Sequence, residues 1–232
     1  MITIRKSEDR GFTDAGWLRS HATFSFGRYQ DPNFVGFRVL RVLNEDRIAP
    51  GKGFGPHSHR DMEILTYMVD GRLAHRDSLT GPHVLGSNEL QVMTAGDGIV
   101  HSEFNASETA SSHSLQIWID PRAEDLVPSY QQIAFAPEAK RGRLHLLAGP
   151  EAGDEAHTAV IKQDARVYVT EIDSNDRVTH TLVEGRHAWI QVVRGAIDVN
   201  GISLMQGDGA AISNEHTVVL SGNGEVLLFD LP

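Results

Sequence analysis

Met93-Thr-Ala-Gly-Asp-Gly-Ile-Val-His-Ser-Glu103 has a shorter counterpart near the end of the chain, Met205-Gln-Gly-Asp-Gly-Ala-Ala-Ile-Ser-Asn214, with the shared Gly-Asp-Gly setting the register. Upstream, Tyr67-Met-Val-Asp-Gly71 parallels Gln191-Val-Val-Arg-Gly195. In this alignment the first copy carries about 13 more residues than the second, placed in a loop over Asp77–Ser87. A repeated order of short elements and turns points to two similar β-barrels in tandem. The surrounding sequence agrees. Ile64–Val69, Leu90–Met93, Leu115–Ile119, Val167–Ile172, Trp189–Val193, Ala196–Val199, Ile202–Met205 and Val226–Leu231 are apolar, of strand length and bounded by turn residues. Asn200-Gly201 joins two of them with the residues that a type I′ hairpin requires. Only Ser129–Ala134 and Glu138–Arg143 read as single helical turns, so the expected class is all-β. The expected domains are 1–125, a connecting segment 126–157, and 158–232.

Composition restricts the chemistry. The chain has 232 residues, twelve histidines and no cysteine, and 31 acidic against 21 basic side chains give a formal charge of −10. Its length supports a substantial core without disulfides. Without cysteine there is no thiolate nucleophile, Cys-type zinc site or iron–sulfur cluster, and His, Asp and Glu are the strong metal ligands left. The acidic surplus argues against direct nucleic-acid binding, which rests on clustered Lys and Arg. Met1–Arg10 has neither the apolar stretch of a signal peptide nor the pattern of a transit peptide, and no long apolar run follows it. The expected location is the cytosol, with no membrane partner.

Two pairs of residues carry the chemistry. His57-Ser58-His59 and His101-Ser102-Glu103 each place two ligand-type side chains at i and i+2, on one face of a strand. Either pair alone reads as surface or hydrogen-bonded core residues. Together they offer three imidazoles and one carboxylate, a set suited to one divalent ion, Fe(II), Mn, Co, Ni, Cu or Zn, with positions left open. In the aligned second copy His101 becomes Ile212, Glu103 becomes Asn214, and His59 and His57 become Val183 and Thr181. Joint loss of all four fits a single metal site held by the first barrel.

The spacing Gly51-x5-His57-x-His59-x3-Glu63, followed by Gly98-x2-His101-x3-Asn105, resembles the paired motifs of cupins. Thr23–Pro32, Leu40-Arg-Val-Leu-Asn44, Gly53–Glu63 and Met93–Glu103 are similar to pirin, the two-barrel branch of that superfamily, and the resemblance spans essentially the whole chain. It implies two antiparallel cupin (jelly-roll) barrels, a bicupin. The N-terminal barrel would hold a metal, most readily Fe(II), on His57, His59, His101 and Glu103, and the C-terminal one would be degenerate and metal-free. It also implies quercetin 2,3-dioxygenase activity on a flavonol or related aromatic, with O₂ as co-substrate and Glu103 taking the substrate's hydroxyl proton. Because pirins draw their carboxylate from the second motif, Glu63 becomes a partner of the ligands rather than a ligand. Gly96 stands where the second cupin motif usually has Pro, and Asn88 where pirins usually have Gly, a change that Asn tolerates in a left-handed turn.

Other features read more plainly. Gly51–Gly55 lacks the strand–helix context of a nucleotide loop. His75 and Asp77 read as an exposed strand face, with the pocket mouth as the alternative, and Phe24, Phe26, Phe37 and Phe54 read as core, with Phe54, next to the metal motif, the first candidate of the four to stack on a flavonoid. A second functional reading is a metal-bearing interaction protein that modulates a transcription factor or an enzyme through a protein partner. A third is a storage or structural cupin. Two fused barrels already bury the usual cupin contact within one chain, so the expected state is a monomer.

Overall fold

The computed structural model describes residues 1–151 and 158–232, and it is almost entirely β. The chain forms two compact units. Residues 152–157 of the expected connecting segment 126–157 lie outside the described residues.

The first unit comprises Gly11–Ala134 and Ala159–Gln163. It contains a seven-stranded sheet in the order Ser129–Ala134, Glu89–Thr94, Glu63–Asp70, Ser112–Ile119, Leu40–Ile48, Leu18–Ala22, Gly11–Asp14. A four-stranded sheet runs Gly53–His59, Ile99–Asn105, Arg72–Asp77, His83–Gly86, and every pairing in both sheets is antiparallel. Period-two patterning explains the inward face. Along Ile99–Asn105 burial alternates, so Ile99, His101, Glu103 and Asn105 point inward while Val100, Ser102 and Phe104 are more exposed. One apolar cluster joins Ile48, Met68, Leu73 and Leu85, and another joins Ile64, Met93, Ala95 and Ile99. Trp17, Leu18 and Phe54 pack on the first cluster and Trp118 on the second, which places large rings beside the polar interior.

The second unit comprises Met1–Arg10, Phe135–Thr158 and Asp164–Pro232. Its sheet runs Ile2–Arg5, Gly209–Ile212, His187–Val199, Thr217–Leu231, Arg166–Ile172, His145–Gly149, with Arg177–Thr181 on Thr217–Leu231 and Ile202–Met205 on His187–Val199. Trp189–Val193 and Ala196–Val199, expected as separate strands, are one strand that turns at Gly195. There φ is +76° and a Cβ would lie 2.1 Å from the Asn223 carbonyl oxygen, so only glycine fits. Asn200 and Gly201 both have positive φ, as the two-residue hairpin requires.

Four expectations change. Ser129–Ala134 is a strand, not a helical turn, because its six residues pair in register with Glu89–Thr94, and ladder bonds outweigh local propensity. Only Pro137–Lys140 of the second expected turn is helical, as a 3₁₀ turn. The domain limits also shift: Met1–Arg10 belongs with the later residues, since Ile2–Arg5 pairs with Gly209–Ile212 and Lys6 Nζ contacts Asp208 Oδ2 at 2.9 Å. Finally, Asp77–Ser87 is not wholly a loop, because His83–Gly86 forms a strand against Arg72–His75.

The repeat survives but its register moves. Gly71 and Gly195 hold equivalent bends, with φ of +78° and +76°. The two Gly-Asp-Gly triplets do not correspond. Gly96–Gly98 precedes Ile99–Asn105, whereas Gly207–Gly209 precedes Gly209–Ile212, a strand that pairs with His187–Val199 as Glu89–Thr94 pairs with Glu63–Asp70. By topology the counterparts of Gly53–His59 and Ile99–Asn105 are therefore Arg177–Thr181 and the start of Thr217–Leu231. Their inward positions include Val178, Val218 and Leu220, buried in an apolar cluster with Ile190 and Val199. Val183, Ile212 and Asn214, compared with His59, His101 and Glu103 in the sequence alignment, lie outside those counterpart strands.

Candidate metal centre

The four sequence-selected residues come from two adjacent antiparallel strands. His101 on Ile99–Asn105 pairs directly with His57 on Gly53–His59, and Ile99 pairs with His59. The register shifts between His101 and Glu103, a bulge that sets Glu103 opposite Phe54. Gly53 permits this close approach, because a Cβ there would stand 2.1 Å from the Glu103 carbonyl oxygen and 2.5 Å from Phe104 Cα. Asn105 anchors the end of the strand by donating from Nδ2 to the carbonyls of Ile48 and Ala110 at 2.9 and 2.8 Å.

The three imidazoles converge. Ring centroids are 4.4 Å apart for His57 and His101, 4.8 Å for His57 and His59, and 4.9 Å for His59 and His101, and one nitrogen from each lies within 4.8 Å of the others. His57 donates from Nδ1 to the Gly55 carbonyl at 2.8 Å, which leaves the Nε2 lone pair free. His101 is 2% exposed, and neither ring nitrogen has a hydrogen-bond partner among the described residues. A buried imidazole with both nitrogens unpartnered is a costly arrangement unless a ligand completes it, so the donor set fits a divalent ion. Burial, reinforced by the neighbouring His57, holds the His59 imidazolium down to about 4. Burial and then His57 and His59 hold His101 down to about 3. Both rings are therefore neutral, the form that binds metal.

Glu103 belongs with His101 and His75 in a second, overlapping group whose donor atoms lie within 4.8 Å. Its Oε2 accepts from Gln116 Nε2 at 3.1 Å, and its Oε1 accepts a longer bond of 3.4 Å from Thr66 Oγ1. Burial pushes its carboxyl up to about 7; the two donors oppose that rise and the nearby Asp46 adds to it. Asp46 is itself buried and raised to about 6 by desolvation, against a hydrogen bond from Ser20.

His75 and Asp77 are not an exposed face. His75 is 1% exposed, its Nε2 lies 2.8 Å from Asp77 Oδ2, and its ring is 5.3 Å from that of His101. Asp77 is fixed by the Leu79 and Thr80 amides, a tight turn that short-range sequence pattern did not reveal. Glu63 takes no place beside the imidazoles. On its strand Ile64 lines the cavity and Glu63 points to the other face, accepting from Thr94 Oγ1 and the Lys162 amide. Asn88 has φ +59°, the left-handed turn its identity allows, and Gly96 has φ +50°.

The imidazoles open on a cavity of about 470 Å³, within the range of small-molecule sites (roughly 300–1,000 Å³). Trp17, Phe26, Phe54 and Trp118 form its aromatic wall. Trp118 stands edge-on to His59 at 4.9 Å and to Phe26 at 5.5 Å. Of the four phenylalanines expected in the core, Phe24 is buried, whereas Phe26 and Phe54 line the cavity. Asn44, Asp46 and Gln116 complete the polar end, residues that the sequence reading did not select. Asn44 and Asp46 lie in a run, Asn44-Glu-Asp-Arg47, that is polar throughout, so alternation gave no signal for them. Among the described residues no helix is long and apolar enough to cross a membrane.

Comparison with known proteins agrees with this architecture. The Pirin family model matches residues 4–119 and the model of the quercetinase C-terminal cupin domain matches residues 146–231. The chain is 42% identical over 234 residues to the quercetin 2,3-dioxygenase of Escherichia coli strain K12, covering 100% of this chain and 99% of that one. The crystal structure of the bacterial pirin YhhW from Escherichia coli in complex with nickel(II) superposes with a TM-score of 0.94 at 42% identity, covering 100% and 99% of the two chains. A quercetin 2,3-dioxygenase structure from Acinetobacter baumannii, at 22% identity and a TM-score of 0.77 over 98% and 85%, shares the fold. The tandem cupin domains, the match along the full chain and the level of identity together establish that this chain belongs to the pirin family.

Proposed function

We propose that the protein is a metal-dependent dioxygenase that opens the heterocycle of a flavonol such as quercetin with O₂ and releases CO. The observation that carries this reading is the convergence of three imidazoles on an aromatic-walled cavity, with Glu103 beside His101. His57, His59, His101 and Glu103 would hold the ion, with Fe(II) as the first candidate and Ni, Mn, Co, Cu or Zn compatible with the same donors. A divalent ion there would polarise a substrate hydroxyl and lower its pKa. Glu103, beside His101 at the cavity, is placed to accept that proton. Gln116 and Thr66 hold the carboxylate in place while it does so. Trp17, Phe26, Phe54 and Trp118 sandwich planar rings and keep bulk water from the reacting centre.

The test is reconstitution of the metal-free protein with Fe(II) or Ni(II) under anaerobic conditions, followed by quercetin and O₂. Metal-dependent loss of flavonol absorbance with stoichiometric CO is the expected result. Equal loss in the metal-free control would overturn the reading.

A further inference from the structure

Asn44 and Asp46 occupy alternate positions of Leu40–Ile48, so both point to the inner face of the seven-stranded sheet. Both line the cavity, and they are 3% and 6% exposed. Asn44 Oδ1 and Asp46 Oδ1 have no hydrogen-bond partner among the described residues. The pairing register fixes where they lie. Trp118 is opposite Val42, Gln116 opposite Asn44 and Ser114 opposite Asp46. Gln116, opposite Asn44, carries the Nε2 that bonds Glu103, so the pair stands at the Glu103 end of the cavity. The Glu103 carboxylate already has two donors, whereas Asp46 has Ser20 and an Oδ1 with none. An unsatisfied buried acceptor costs about 1–3 kcal/mol, so a pair of them on a cavity wall calls for donors that arrive with the ligand.

We infer that Asn44 and Asp46 are specificity-determining residues that accept hydrogen bonds from phenolic hydroxyls of the substrate other than the one at the reacting position. The cavity then selects polyhydroxylated planar aromatics over those with a single hydroxyl at the reacting position. This rests on the flavonol reading above and adds the substrate feature that the site recognises. The aromatic wall contributes area without direction, whereas an acceptor pair at fixed positions discriminates strongly against an analogue lacking the hydroxyls, because the acceptors are then buried unpaired.

The experiment compares quercetin with 3-hydroxyflavone, which keeps only the hydroxyl at the reacting position, by tryptophan fluorescence titration of metal-loaded protein. Wild type is expected to bind quercetin at least tenfold more tightly. In Asp46→Leu, with metal content checked by mass spectrometry, quercetin affinity falls about tenfold while that of 3-hydroxyflavone changes less than twofold, so the preference disappears. Asp46→Asn, which keeps shape and one acceptor, retains part of the preference and guards against a folding defect in the leucine variant. An undiminished preference in a folded, metal-loaded Asp46→Leu protein overturns the inference and leaves the dioxygenase reading standing. Failure of wild type to bind either flavonol overturns both.

Discussion

Gln116 donates from Nε2 to Oε2 of Glu103 at 3.1 Å, tying the seven-stranded sheet of the first unit to the carboxylate carried by its four-stranded sheet. This bond keeps a fully buried acid oriented and counters part of its desolvation. Removing the donor should weaken metal binding even though Gln116 is not among the candidate ligands. A hydrogen bond to a charged group contributes about 1.5–3 kcal/mol, so Gln116→Leu is expected to lower Ni(II) affinity at pH 7 by roughly tenfold or more. Isothermal titration reads this directly, and unaltered affinity would show that Gln116 does not hold the carboxylate.

Substituting the donors tests the ligand set. His57→Ala, His59→Ala, His101→Ala and Glu103→Ala should each reduce bound metal and abolish flavonol turnover. Full occupancy in any one of them removes that residue from the site. His75→Ala should leave the ion bound, because His57, His59 and His101 form a donor group without it. Metal analysis of the five purified proteins separates these outcomes.

Proton release follows from the perturbed groups. Burial raises Glu103 to about 7, whereas burial lowers His59 to about 4 and His101 to about 3. Between pH 5 and 7 the His59 and His101 imidazoles are neutral and Glu103 carries a proton that an incoming ion must displace. Affinity should therefore rise with pH by up to tenfold per unit and level off above 7. Ni(II) addition at pH 6 is expected to release the Glu103 proton, measurable by titration in buffers of different ionisation enthalpy. Glu103→Gln should release about one proton fewer than wild type.

The same shifts act on the stability of the metal-free protein with opposite slopes. Glu103, whose folded value lies above the ordinary 4.5, favours folding below pH 4.5 and loses that contribution as pH rises towards 7. His59 and His101, whose folded values lie below 6.5, contribute above pH 6.5 and lose it as pH falls through 4 and 3. His101→Leu, which removes two unpartnered buried nitrogens, should raise the thermal midpoint of metal-free protein even as it abolishes ion binding. A lowered midpoint would mean that the imidazole has a structural partner.

Gly53 and Gly55 form a matched pair for stability. A Cβ at Gly53 meets the Glu103 carbonyl oxygen at 2.1 Å, while one at Gly55 meets nothing within 4 Å. Gly53→Ala should destabilise by about 2 kcal/mol or more, as overpacking does, and Gly55→Ala by less than about 0.5 kcal/mol. Thermal denaturation of the two variants measures the difference.

Much of this protein was legible from local pattern. Strand-length apolar runs, the Asn200-Gly201 hairpin and the equivalent bends at Gly71 and Gly195 follow from backbone geometry that acts over a few residues. So does the placing of His57 with His59 and of His101 with Glu103, because i and i+2 on a strand share a face. Tertiary structure decided what depends on pairing between distant strands. Ladder bonds to Glu89–Thr94 made Ser129–Ala134 a strand, and pairing with Gly209–Ile212 carried Met1–Arg10 into the second unit. Strand order also showed that the two Gly-Asp-Gly triplets occupy different turns, a distinction that matching letters cannot make. The polar wall of Asn44, Asp46 and Gln116 and the burial of His75 likewise arise only in the folded chain. Register across a sheet is set by hydrogen bonds between residues far apart in sequence, and those bonds determine which polar side chains share a cavity.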